Sequence, residues 1–400
     1  MEKVKKNIPT LRFPQFEGEW EKKKLKKVAT FFSGGTPLST KKSYYNGHIP
    51  FIKSGEIKYD TTAQYLSDEG LKNSSSKMVK KGDLLIALYG TTSGEVAISQ
   101  INGAINQAIL CIRGKFDNIY CYNFFLKHKD KIISTYLQGG QGNLSAEIIK
   151  SITIPFPSLQ EQKKIADFLT ITDKRIELLT KKKQLCQQYK KVMMQKLFSQ
   201  ELRFKDENGK EFPKWEVKSL GDLTKYYDGT HQTPKYVKEG VPFYSVESIT
   251  GNNFSDTKYI SEEVFEIESK RVILEKKDIL MTRIGDIGTV KYIDWDVRAS
   301  FYVSIILIKQ SDNINSLYLY QFIKSSFFQK ELWKRTIHVA FPRKINLGEI
   351  GNCRVKCPSF SEQKKIANFL TALDKKIELV EKEIHLSEQF KKYLLQNLFV

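Results

Sequence analysis

The sequence predicts an α+β protein made by tandem duplication. Two mixed α/β domains alternate with two long α-helices, and the helices pair as a coiled coil. Three observations predict this. The phrase EQKKIADFLT beginning at Glu161 returns as EQKKIANFLT beginning at Glu362. Sliding the chain by 201 residues lays 154–199 over 355–400 with 24 of 46 positions identical. Neither Gly nor Pro occurs between Pro157 and Gly209, or from Ser359 to the last residue, so each copy is free to form one uninterrupted helix. Solenoid repeats have periods of about 20–50 residues, so a period this long marks a duplicated domain.

The expected order is a first domain over 1–157, a helical region over 158–201, a second domain over 202–358 and a second helical region over 359–400. A chain of 400 residues, 40% hydrophobic and 12% aromatic, can bury a core in each half. Its net charge of +20 favours a polyanionic partner, in the first place nucleic acid. Residues 1–157 hold 23 basic against 13 acidic side chains, and residues 201–358 hold 25 against 22, so the excess lies mainly in the first half. No apolar run approaches the roughly 18 residues of a membrane span. The first residues, MEKVKKNIPTLRFP, lack the apolar stretch of a signal peptide. Five cysteines are too few and too scattered for a disulfide framework, which points to buried thiols in a reducing compartment.

In the first domain, LLIAL (84–88) has strand length and is bounded by polar residues. Turn signals stand at Gly34-Gly35, Asn46-Gly47, Asn102-Gly103 and Gly139-Gly140, and a helix fits near 119–137. Phosphate contacts need only charge, but base reading needs polar forks and hydroxyls on loops. The candidates are Lys53 and Ser54, then Tyr89, Thr91, Thr92 and Ser93 around the Tyr89-Gly90 turn, then Gln141 and Asn143 in QGGQGNLS (138–145).

The first helix begins with an S-x-x-E capping box, Ser158 to Glu161. Its apolar stripe is Leu169, Ile176, Leu179, Cys186, Met193 and Leu197, interrupted by Thr172, Lys183 and Lys190. A second stripe holds Leu178, Leu185, Tyr189 and Val192. One stripe can seat the sister helix. The other needs a cover, which is either the chain's own globular domains or, as expected for a long projecting helix, the helices of a partner protein.

The second domain echoes the first in the same order. FEGEW before Trp20 answers EFPKW before Trp215, IPFIKSGEI from Ile49 answers VPFYSVESI from Val241, and KGDLLIALYG from Lys81 answers KKDILMTRIG from Lys276. FYVSIILI (301–308) is a strand candidate, Gly251-Asn252 is a turn signal, and a helix fits near 316–335. The loop candidates are His231, Gln232, Ser245, Glu247, Arg283, Asp286, Arg343, Lys344 and Asn346. The second helix repeats the capping box at Ser359 and Glu362. Its seam stripe is Leu370, Leu373, Ile377, Val380, Ile384, Leu394 and Leu398, and its outer stripe is Leu379, Leu386, Phe390 and Tyr393.

Catalytic signatures are missing. There is no Pro-Pro dipeptide, hence no N/D-P-P-Y/F amino-methyltransferase motif, no phosphate-binding loop and no nucleophile elbow. The five histidines form no metal spacing. The Asp256…Glu268-Ser-Lys270 set is too loosely spaced to be a nuclease site.

The two P-S-x-x-EQKKIA-x-FL-T…D-[KR]-x-IEL helices, each following a variable domain, resemble the specificity subunit of a type I restriction–modification system over nearly the whole chain. The resemblance implies that each domain is a target recognition domain for one half of a bipartite double-stranded DNA site. It implies that the helices pair antiparallel with pseudo-two-fold symmetry, set the spacer, and dock two methyltransferase subunits through their outer stripes. It also implies that this chain is not an enzyme and holds no metal or cofactor. S-adenosylmethionine, and ATP with Mg where two restriction subunits join, then belong to the partners. A bacterial, cytoplasmic, nucleoid-associated location follows from the same resemblance. The competing expectation is a coiled-coil scaffold with two polyanion- or protein-binding modules lacking sequence preference.

Overall fold

A computed structural model describes residues 7–136 and 143–400. The chain divides into two compact units. The first comprises residues up to 180 together with 382–400, and the second comprises 181–381. Each unit is therefore one mixed domain joined to a stretch of both long helices.

In the first unit, four antiparallel strands run in the order Ala29–Ser33, Ile109–Gly114, Leu84–Ala87, Val96–Ile98. LLIA is buried at every position because both faces of this sheet are covered. Leu84 and Ile86 face the core with Tyr120 and Phe124 of the helix Asn118–Tyr136. Leu85 and Ala87 face Ile52 and Ile105. Those two residues belong to a second sheet ordered Tyr65–Leu66, Ile49–Ile52, Gly103–Ile105, Lys77–Val79.

The second unit repeats this plan. Its first sheet runs Tyr226–Asp228, Ile305–Ile308, Ile279–Ile284, Asp286–Tyr292, and its second runs Lys258–Ile260, Val241–Tyr244, Ser300–Phe301. The apolar run FYVSIILI is not one strand. Phe301 pairs parallel with Tyr244 in one sheet, while Ile305–Ile308 joins the other, so the chain turns over between them. The helix expected near 316–335 is two, Ser316–Ile323 and Ser326–Arg335, because Ser325 caps the second by accepting the Phe328 N–H at 3.5 Å.

The long helices run Leu159–Ser199 and Phe360–Asn397. Only half of each capping box forms. Ser158 accepts the Glu161 N–H at 3.2 Å and Ser359 the Glu362 N–H at 3.4 Å, but both glutamates turn inward to an arginine. In the first unit, Arg12 grips Glu161 with both contacts at 2.8 Å, Leu11 N–H donates to Asn397 O at 2.9 Å, and Phe13 meets Phe168 edge-on at 5.8 Å. The second unit has the same clasp. Arg203 grips Glu362 at 3.1 and 2.7 Å, Leu202 N–H donates to Lys196 O at 3.1 Å, and Phe204 meets Phe369 at 5.8 Å. A Leu-Arg-Phe tripeptide thus ties the start of each domain to the helix that follows it.

Inside each unit the helices run antiparallel. Asp173 pairs with Lys391 at 2.5 Å in the first unit. In the second, Lys183 pairs with Glu381 at 3.0 Å and Lys190 with Asp374 at 2.5 Å, so the number on one helix climbs as that on the other falls. The interruptions of the first seam stripe are accounted for here. Lys183 and Lys190 carry these pairs, and the Thr172 hydroxyl donates to Phe168 O at 3.0 Å. Asp173 and Asp374 are the same position of the repeated phrase, as are Lys190 and Lys391, so one Asp–Lys pair is made twice. Such polar positions in an apolar seam fix register and orientation.

Candidate functional site

The loops singled out in the second domain converge on residues 301–304. Thr230 N–H donates to Phe301 O (3.0 Å), Val303 N–H to Thr230 O (3.1 Å), Tyr302 N–H to Tyr244 O (3.0 Å) and Arg283 N–H to Ser304 O (2.9 Å). Ile345 N–H then donates to Arg283 O (3.1 Å), and Gly285 N–H to Arg343 O (2.8 Å). Segments 230–233, 244–247, 283–286 and 343–346 therefore form one rim.

On this rim His231 and Gln232 are exposed. His231 Nε2 lies 2.8 Å from Asp228 Oδ2, and Arg271 donates to Asp228 Oδ1 at 2.8 Å. Burial pushes the Asp228 carboxyl up, but the hydrogen bonds from Arg271 and His231 outweigh it and hold the group below the usual carboxylate value. The Ser245 hydroxyl donates to Glu247 and draws that carboxyl down. Asp286 is exposed and accepts the Thr282 hydroxyl at 2.7 Å. Arg343, Lys344 and Asn346 are exposed.

Arg283 departs from the expectation of an outward fork. It is buried, and its guanidinium donates inward to Val303 O at 3.1 Å and Ile345 O at 3.4 Å. Burial lowers its pKa from the ordinary arginine value. The reason is positional. Laying KKDILMTRIG over KGDLLIALYG puts Arg283 on Leu88, a core residue. Arg283 is the strut on which the rim is built.

The first unit assembles a rim at the same places. Leu88 N–H donates to Ala108 O (2.7 Å) and Leu144 N–H to Leu88 O (2.9 Å). Ser93 is committed internally: its hydroxyl donates to Leu88 O at 3.0 Å and accepts the Leu144 N–H at 3.2 Å. Asn143 Oδ1 accepts the Gly90 N–H at 3.3 Å. Tyr89 and Thr91 are exposed and Thr92 is half-buried. Lys53 is exposed beside a partly exposed Ser54. Their loop is tied to the 90–95 turn because Lys58 pairs with Glu95, which also takes Lys129. Gln141 lies outside the described residues, as does the Gly139-Gly140 turn.

Four rim residues escaped the sequence reading. Thr36 donates to Gln107 Oε1 at 2.7 Å in the first unit, and Thr233 lies 3.0 Å from the Tyr302 hydroxyl in the second. The signal for the two threonines is an echo of GGTP (34–37) in GTHQTP (229–234). Gly34 and Gly229 both sit where no side chain fits. A Cβ would lie 1.7 Å from Ile105 O in one case and 2.2 Å from Phe301 O in the other.

Each unit also exposes four residues of the outer stripes. The first shows Leu178 with Leu386, Phe390 and Tyr393, and the second shows Leu379 with Leu185, Tyr189 and Val192. All eight are between 44% and 62% exposed.

Amides, hydroxyls and cations on a preformed loop rim are the groups that bond base edges and phosphates. Among the described residues, no group of three or more His, Cys, Asp or Glu side chains could hold a metal ion. Burial pushes the Cys353 thiol up to about 12 and the Cys357 thiol up to about 11. Among the described residues no helix is long and apolar enough to cross a membrane.

Residues 17–188 and 213–387 match the family described as type I restriction modification DNA specificity domain. Two curated relatives from Methanocaldococcus jannaschii align over most of their length. The type I restriction enzyme MjaVIII specificity subunit is 25% identical, covering 98% of this chain and 94% of its own. The MjaIX specificity subunit is 26% identical, covering 95% and 92%. Among solved structures, the S subunit of a type I restriction–modification system from M. genitalium superposes with a TM-score of 0.65 at 18% identity, covering 98% of this chain and 99% of that one. That likeness concerns the fold.

Proposed function

The chain belongs to the type I restriction–modification DNA specificity family, and we propose that it selects the DNA sequence on which partner subunits act. Each rim reads one half of a bipartite site in double-stranded DNA, the paired helices set the spacer, and each outer-stripe patch docks one methyltransferase subunit. Where two restriction subunits are present, they join through that complex. The chain is a non-catalytic component of it. S-adenosylmethionine, and ATP with Mg where cleavage occurs, are bound by partners. A cytoplasmic location beside the genomic DNA fits this role.

One observation carries the reading. Corresponding loops meet in both units through the same backbone bonds, Leu144 N–H to Leu88 O in one and Ile345 N–H to Arg283 O in the other, yet they present different side chains: Tyr89, Thr91 and Asn143 in the first, Asp286, Arg343 and Lys344 in the second. A constant frame with variable tips is what two readers of different half-sites need. A scaffold lacking sequence preference would have no use for the difference.

Exchanging residues 1–157 for the first domain of another family member tests this. The methylated motif in cells carrying the chimaera is expected to change in one half only. A motif altered in both halves contradicts modular reading.

A further inference from the structure

The second unit carries a protrusion that base-edge reading does not use. Val339 is 96% exposed and Phe341 is fully exposed, two residues apart at the tip of the 337–344 loop. Isolated exposed apolar residues are ordinary, but these two stand on a braced base. Ile337 N–H donates to Lys344 O at 2.8 Å and closes the loop. Gly285 N–H to Arg343 O and Ile345 N–H to Arg283 O then fasten it to the rim, where Arg283 is the buried strut.

The flank is aromatic and cationic. Trp333 is 60% exposed, with the His338 ring 4.2 Å from its own and the Arg343 guanidinium 5.7 Å over its face. Lys334, Arg343 and Lys344 are exposed around it. The nearby Glu331 is already engaged by Arg335 at 2.9 Å. An apolar point ringed by cations suits a polyanion with an apolar interior, which is stacked duplex DNA. The exposed Asp286 lines the same cleft as Trp333 and Arg343, and Lys334, Arg343 and Lys344 outnumber it.

We propose that Phe341, supported by Val339, is a wedge that enters the base stack at one step of the half-site read by the second unit. This rests on the DNA-reading function above. Wedging partly unstacks a base step and kinks the duplex, so steps that deform easily, pyrimidine–purine above all, are its expected targets. The wedge adds specificity at a position where no hydrogen bond is made.

The test uses the full chain in complex with its methyltransferase subunits. The probe is a duplex carrying the mapped site, with 2-aminopurine placed singly at steps of the half-site read by the second unit. Wild-type complex is expected to raise the fluorescence at one step. F341A is expected to lose that rise and to bind the site roughly tenfold more weakly, with non-specific affinity and its salt dependence unchanged. F341W restores the rise. Because Phe341 is fully exposed, F341A keeps the wild-type unfolding temperature. Unchanged fluorescence and affinity in F341A overturn the wedge while leaving DNA reading intact. Loss of the methyltransferase subunits by F341A assigns the tip to protein contact and also overturns it. A wild-type complex without preference for the site removes the underlying function and the wedge with it.

Discussion

Replacing Leu185 and Tyr189 with glutamate is expected to remove one of two methyltransferase subunits from the complex, and adding Leu386→Glu and Phe390→Glu to remove both. These four residues are half-exposed in the free chain, so glutamates there cost the fold little. In a docked interface each would bury a carboxylate without a partner. Two such charges at the centre of a patch weaken association by on the order of a thousandfold or more. The sharper expectation is stoichiometric, because the first unit presents Leu, Leu, Phe and Tyr where the second presents Leu, Leu, Tyr and Val. Native mass spectrometry reads the number of bound copies directly. A double variant that still holds two copies would show that docking uses another surface.

Arg203→Ala is expected to destabilise the second unit by about 3–5 kcal/mol. The Glu362 side chain is fully buried, and Arg203 supplies two of its three hydrogen bonds, the third coming from Trp215 Nε1 at 2.9 Å. Removing the cation strands a charge in a dry site. It also frees Phe212 O and Pro213 O, which the same guanidinium caps at 3.1 and 2.8 Å. Arg203→Met with Glu362→Leu should recover most of the loss, since an apolar pair of similar volume avoids desolvating either charge. Urea unfolding of the two variants gives both values. An R203A chain as stable as wild type would mean that the clasp contributes nothing to the fold.

The helices were legible because a repeated phrase, a 3–4 spacing and the absence of Gly and Pro all act at short range. The clasp was not. Leu11-Arg12-Phe13 and Leu202-Arg203-Phe204 do not stand 201 apart, so a slide at that spacing passes over them. The S-x-x-E pattern points each glutamate to capping, because an arginine arriving from a distant segment leaves no local trace. FYVSIILI hid a change of sheet, since an apolar run records burial and not which strand it pairs with. Arg283 invites a reading role because arginine so often has one. The alignment with Leu88 carried the opposite information, that the position belongs to the core. The rims themselves are made of backbone hydrogen bonds between distant loops, and no pattern of residue types encodes which loops will meet.

Methylation mapping of the host genome with and without this gene decides whether the chain selects the DNA sequence. A methylated bipartite motif is expected to disappear when the gene is removed and to return when it is restored. A methylation pattern that stays the same in the absence of the gene, while the partner methyltransferase is expressed, would contradict the DNA-selecting role.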